Sequence, residues 1–223
     1  MAGQRSHGKA PSTRRIPTAD HLLRSDRHAA PDLDVIADAA AELFYEYGYG
    51  NTSMQDLAEA LGVAKPTLYA HGRSKVEILG HIFDRVLSQA EEVIYTAAVE
   101  GDALQALRQI VSGLTQLSVA HASAYGVFHD EQRELPSHLR GRYRAWSRYC
   151  LEGVRSVIAR GQEADRLRSD IDAVVTAYTV VGACLWAARW LDPAGQLPVH
   201  AVGDQFTTLF LDGLVTRAIP DHE

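Results

Sequence analysis

Cysteine and long apolar runs are scarce in this chain, and each scarcity closes off a class of protein. No apolar stretch approaches the roughly 20 residues that a bilayer-spanning helix needs, so no membrane partner is expected. The only cysteines are Cys150 and Cys184. They form no C-x-x-C pair, which argues against a cysteine-based zinc site, and two thiols without a secretory leader are expected to stay reduced and buried. Residues 1–30 carry basic side chains but no apolar centre, so they do not read as such a leader, and a cytoplasmic location is the expectation. Alternating strands bounded by hairpin turns are missing, so no sheet is expected, and there is no internal repeat. A Gly-rich phosphate loop, G-x-S-x-G, H-E-x-x-H and a catalytic pair of carboxylates are missing too. Neither an enzyme nor a cofactor is expected.

What remains is a chain of 223 residues, 46% of them hydrophobic, enough for one large domain or two small ones around a real core. The net charge of −6 argues globally against nucleic acid, but its distribution does not. Residues 1–30 hold six Arg or Lys against two Asp, and residues 62–75 contain Lys65, Arg73 and Lys75 with no acid. Phosphate attraction is screened beyond roughly 8–10 Å in physiological salt, so a local basic face suffices. The first 30 residues mix Pro, Ser, Gly, Arg and His without periodicity. They read as a disordered basic tail, either a solvated leader or an arm for the DNA minor groove.

From Pro31 onward helical spacing dominates, and the fold class is all-α. Val35, Ile36, Ala39, Ala40, Leu43, Phe44 and Tyr47 define a buried stripe, with Pro31 suited to the first turn and Gly48 and Gly50 to the end. A short helix follows, capped by Thr52 or Ser53. Thr52-x-x-Gln55 reads as a capping box, and Met54, Leu57, Ala58 and Leu61 face inward. Gly62 breaks it, and a very short helix covers about 64–70. Ser74-x-x-Glu77 is a second capping box and opens a long amphipathic helix from Leu79 to Ala97. Further helices are expected at about 103–124, 137–163, 170–191 and 198–218, with a short helix or turn over 125–136. The domain organisation read from this pattern is a tail at 1–30, a helix-turn-helix domain at 31–78 and a helical body at 79–223.

Residues 53–70 have the length and punctuation of a helix-turn-helix. Gly62 permits the tight, left-handed turn between crossed helices. Leu57, Ala58, Leu61, Val63 and Leu68 pack the pair, which frees Lys65, Thr67 and Tyr69 for the major groove. Pro66 fits near the start of that helix, where its missing N–H costs nothing. Residues 48–79, GYGNTSMQDLAEALGVAKPTLYAHGRSKVEIL, resemble the N-terminal signature of the TetR family of transcriptional regulators. The matching pieces are aromatic-Gly-Tyr, T-S-x-x-x-[IL]-A-x-x-x-G-V, x-K-P-T-L-Y and H-x-x-S-K. The resemblance implies a three-helix DNA-binding head, a ligand-binding and dimerisation body, and a repressor released from pseudo-palindromic DNA by a small molecule. Carried onto this chain, it implies that Thr52 touches a phosphate and that Lys65, Pro66, Thr67 and Tyr69 lie at base edges and backbone. It also implies that His71 and Lys75 hold phosphates. Ala70 and Gly72 depart from the pattern, Gly72 standing where an apolar residue is usual.

In the body, Tyr178, Val181, Ala183, Leu185, Trp186 and Trp190, then Val199, Val202, Phe206, Leu209, Phe210 and Leu214, make the last two helices apolar over more than one face. The family resemblance implies that these helices form the homodimer. The run W-x-x-R-W-x-x-P-x-G-x-L from Trp186 to Leu197 is similar to regulators of that family that respond to CoA thioesters of fatty-acid or steroid breakdown. From Arg133 to Arg160 there are seven Arg and two acids, with Arg140, Arg144 and Arg148 at i, i+4 spacing. Such a row is either a solvated face or a phosphate site, with Tyr143 or Trp146 placed to stack on an adenine. His121, Tyr125 and His129 fall four apart. They could line a pocket, while a metal site lacks a carboxylate or Cys at ligand spacing. Tyr178, Trp186 and Arg189 complete the expected effector residues, Trp186 and Arg189 on different sides of their helix. A helical interaction module that binds no DNA is the alternative of another class.

Overall fold

A computed structural model describes residues 31–70, 74–130 and 136–215. The N-terminal tail, His71, Gly72 and Arg133 fall outside the described residues. Within them the chain is helical, with one isolated antiparallel bridge, Leu167 to Val215.

The helices are α1 (Leu33–Tyr47), α2 (Met54–Ala60), α3 (Lys65–Ala70), α4 (Lys75–Ala98), α5 (Ala103–Ala120), α6 (Ala122–Asp130), α7 (Ser137–Glu163), α8 (Ala173–Trp186) and α9 (Val199–Leu214). A 3-10 turn, Ala187–Arg189, extends α8. Polar caps set most of the starts. Asp32 caps α1 by accepting from Leu33 N, so Pro31 precedes the cap and is not in the first turn. Ser53 and Asp56, not Thr52 and Gln55, form the capping box of α2, and Gln55 instead donates to Glu59 at 2.9 Å. The expected box of Ser74 and Glu77 opens α4. Asp102 and Asp172 cap α5 and α8. Each satisfies amide groups that the first turn leaves without a helical partner.

The core is continuous from head to body because α4 belongs to both. Ile78, Leu79, Ile82 and Phe83 on α4 are buried in one cluster with Ile36 and Phe44 of α1, Leu57 of α2 and Leu68 of α3. Further along, Val86, Ala90 and Ile94 join the same cluster with Ile110, Val154 and Cys184. The boundary expected at 78/79 therefore falls in the first turns of α4. Helix α5 runs through the middle of the body, packed by α4, α7, α8 and α9. Both cysteines are free and buried.

Candidate DNA-binding surface and effector-binding body

The head is built around the turn between α2 and α3. Gly62 sits at φ +65°, a conformation that a side chain disfavours. The turn is closed by Val63 N donating to Ala58 O at 3.0 Å and Thr67 N donating to Ala64 O at 2.8 Å. Leu68 is fully buried against the head core and anchors α3. On the other side of the same short helix, Lys65 and Pro66 are exposed, Thr67 is half-buried and Tyr69 is 51% exposed. A packed aromatic would have been covered, so the phenol of Tyr69 is a surface group.

Lys75 lies at the start of α4 with its Nζ 4.2 Å from the ring centre of Tyr49 and 5.9 Å from that of Phe44. The aromatic faces position the ammonium without neutralising its charge. Thr52 is placed differently from expectation. It is 3% exposed, and its hydroxyl donates to Gly48 O at 3.0 Å and Leu43 O at 3.3 Å. It ties the end of α1 to the start of α2, an inward role that does not present its hydroxyl to a phosphate.

The structure splits the expected effector residues into three groups. His121 is half-buried and shares a 2.8 Å hydrogen bond with Gln89 on α4. Burial lowers its pKa from 6.5, and the neighbouring Arg85 guanidinium lowers it further, against a smaller opposing effect of Asp38. Arg85 is paired with Asp34 and Asp38 on α1, and His81 meets Asp34 at 2.7 Å. Sequence spacing did not single out Arg85 or Gln89. An arginine and a glutamine at the edge of an apolar stripe read as surface residues until the packing of α1 and α5 is known.

The second group is interior. Tyr125 on α6 is 7% exposed, and its hydroxyl has no hydrogen-bond partner. Burial, with Cys150 and Tyr143 adding to it, pushes its pKa far above the ordinary tyrosine value. Trp146 is buried, donates from Nε1 to Leu87 O at 3.1 Å, and stacks on Tyr143 with ring centres 5.8 Å apart. It is a wall of the core, not a free platform for adenine. Outside it, α4 and α7 leave a groove of about 430 Å³ lined by Asp84, Leu87, Ser88, Glu91, Arg142, Ala145, Trp146 and Tyr149. Arg142 pairs with Asp84 at its rim, while Arg144 and Arg148 are exposed on α7.

The third group lies on the outside. His129 is exposed near the C-terminal end of α6, one turn beyond the buried Tyr125. Its Nδ1 meets Arg189 Nη2 at 3.3 Å, and its ring lies 6.4 Å from that of Trp186. Trp186 and Arg189, expected on different sides, are neighbours, the guanidinium 5.9 Å from the indole centre. The 3-10 turn winds three residues per turn and so brings them together. Arg189 also reaches Tyr45 of α1 at 6.0 Å. Tyr178 is 61% exposed on α8 and lines no interior space. Among the described residues, no three His, Cys, Asp or Glu side chains gather as metal ligands.

His121 gives a pH prediction. A folded-state pKa below 6.5 means that the unfolded chain takes up the proton first. The stability owed to neutral His121 is thus present above pH 6.5 and lost as pH falls below it. The midpoint temperature should fall between pH 7.5 and 5.5, and His121→Gln should flatten part of that slope. An identical slope in the variant would assign the acid loss elsewhere.

A capped helix, a left-handed glycine turn and a short exposed second helix define a helix-turn-helix regulator, which lays the second helix in the DNA major groove. The chain belongs to the TetR family of bacterial regulatory proteins. Residues 36–82 match the model of the tetR family of bacterial regulatory proteins, and residues 100–214 match that of the tetracyclin repressor-like C-terminal domain. It is 30% identical over 187 residues to the HTH-type transcriptional repressor KstR2 of Rhodococcus jostii, covering 81% of this chain and 90% of that protein. The fold superposes on the ketosteroid transcriptional regulator KstR2 of Mycobacterium tuberculosis with a TM-score of 0.78 and 21% identity, over 87% of this chain and all of that one. It also resembles AibR in complex with isovaleryl coenzyme A and operator DNA, with a TM-score of 0.69 and 23% identity, over 79% and 96% of the two chains. The chain is thus a ligand-responsive transcriptional regulator by family.

Proposed function

We propose that the protein is a cytoplasmic, non-enzymatic, homodimeric repressor released from a pseudo-palindromic operator by an acyl-CoA effector. The observation that carries the DNA reading is the exposure of Lys65, Pro66 and Tyr69 on a helix held by the buried Leu68. In this reading Lys65, Thr67 and Tyr69 meet base edges and nearby backbone. Lys75, braced over Tyr49, holds a phosphate. Thr52 serves from inside, by fixing the junction of α1 and α2.

The homodimer reading rests on the outer faces of α8 and α9, where Val175, Tyr178, Trp186 and Leu209 are exposed, and on Trp190, exposed just past the 3-10 turn. A second copy is the occupant that covers them and sets two heads on successive major-groove faces, roughly 34–36 Å apart. The run from Trp186 to Leu197 and the similarity to AibR, solved with isovaleryl coenzyme A, support a CoA thioester as effector. Effector binding in the body tilts α4, whose first turns belong to the head core, and so changes the head spacing. It does so only through its different affinity for the two states.

Fluorescence anisotropy on the DNA upstream of its own gene, with CoA thioesters and their free acids, tests this reading. Release by a thioester and not by its acid is the expected result. Release by neither sends the effector search to other apolar compounds, and lack of sequence-specific binding would leave a helical interaction module. Lys75→Ala should weaken binding alike on all sequences and lower the salt slope by about one. Lys65→Ala and Tyr69→Ala should narrow the preference for operator over random DNA. An unchanged ratio would place their contacts on the backbone alone.

A further inference from the structure

Three features of the body are not used by the fold itself: the cluster of Tyr45, His129, Trp186 and Arg189, the groove between α4 and α7, and the unpartnered hydroxyl of Tyr125. The last two belong together. Tyr125 is 93% covered, yet its hydroxyl makes no hydrogen bond. Its polar neighbours, Tyr143 and Cys150, both lie on α7. Cys150 has Glu91 as its own charged neighbour, and Glu91 lines the α4–α7 groove. Tyr143 stacks on Trp146, which lines the groove, so these two rings connect the orphan hydroxyl to it. Trp146, hydrogen-bonded to Leu87 O, stands in the wall between.

We infer that Tyr125 is the inner anchor of the effector site, and that it donates a hydrogen bond to an uncharged carbonyl on an apolar ligand entering from the α4–α7 groove. This rests on the effector reading above and gives it a place and a chemistry. A buried polar group left unpaired is costly, and a ligand carbonyl removes that cost. Burial keeps the phenol protonated, which makes it a donor. Burial likewise pushes the Cys150 thiol up to about 12, so the site carries no thiolate. Among the described residues the groups that act on the hydroxyl are Cys150 and Tyr143, neither of them a cation, and Arg142 is held at the rim by Asp84. A free carboxylate would enter without a counter-charge, which burial penalises heavily. A thioester or a ketone meets the requirement.

The experiment compares wild type and Tyr125→Phe, with octanoyl-CoA, 2-decanone and octanoate as probes. Without any probe, removing an unpaired buried hydroxyl should raise the midpoint temperature by a few degrees. A lower midpoint would mean that the hydroxyl is already satisfied, and would overturn the site. In operator release, octanoyl-CoA should require about tenfold more ligand on the variant, and octanoate should release neither form. A shift with octanoyl-CoA alone assigns the carbonyl to a thioester, and a shift with 2-decanone extends it to ketones. Release of both forms at equal concentration would overturn the site alone. Failure of every carbonyl probe on wild type would overturn the effector reading and the site with it.

Discussion

Tyr178→Asp combined with Leu209→Asp is expected to give a folded monomer that binds operator about 10²–10⁴-fold more weakly than wild type. Leu209 is 70% exposed and Val175 63% exposed, and between them α8 and α9 leave a groove of about 390 Å³ bounded by Thr179, Phe210 and Leu214. Burying an apolar side chain of this size contributes roughly 1.5–3 kcal/mol. A carboxylate at the same place has no counter-charge and must stay hydrated. Two such changes per copy appear four times across a two-fold interface, so the dimer should be lost while each copy keeps its core. The loss of DNA affinity follows from geometry. A single head gives up the effective concentration supplied by its tethered twin. Light scattering on a size-exclusion column and anisotropy on the operator measure both consequences. A variant that stays dimeric would place the interface elsewhere; a monomer with undiminished affinity would show that one head suffices.

The geometry of the candidate DNA-binding surface was legible in the sequence because it is local. The glycine turn, the buried Leu68 and the exposed Lys65 and Tyr69 all lie within a few residues of one another, where helical period and turn chemistry decide position. The caps were legible where only one candidate existed, as at Ser74. At Thr52 and Ser53 two hydroxyls competed, and carbonyls of Leu43 and Gly48 claimed Thr52. That preference depends on how α1 ends. The candidate effector residues were the least legible because their neighbours are far away in sequence. His121, Tyr125 and His129 fit one face only if a single helix runs through them. Instead α5 ends at Ala120, and His121 adopts φ −118° and ψ 37° before α6 begins. Trp146 joined the core because Leu87 O lies within reach of its indole N–H. The shortening of α8 at Trp186 was equally invisible, since a 3-10 turn and an α turn share the same residue types over so short a stretch.

Gly126→Val is expected to destabilise the protein by about 1–3 kcal/mol and to weaken operator binding, and Tyr45→Ala is expected to relieve both effects. Helix α6 packs against α1, and a Cβ added at Gly126 would stand 2.2 Å from Cδ2 and Cε2 of Tyr45. Helix α6 cannot retreat, because Tyr125, Val127 and Phe128 on either side of the glycine are buried. Nor can α1, since Phe44 beside Tyr45 is almost wholly covered. The Tyr45 ring, 46% exposed, is the part free to yield. It would swing away from Arg189 and loosen the link between head and body on this side. The helix-propensity gain on replacing glycine with valine, roughly 0.3–0.5 kcal/mol, offsets only part of the overpacking. With Tyr45→Ala the space is open, so Gly126→Val should become neutral or mildly stabilising, a coupling of roughly 0.5–3 kcal/mol. Urea unfolding of the four chains measures that coupling, and anisotropy on the operator shows whether it reaches the DNA-binding head. Equal cost of Gly126→Val in both backgrounds would mean that α6 and α1 do not meet through this pair, and the contact would then carry nothing between effector and DNA.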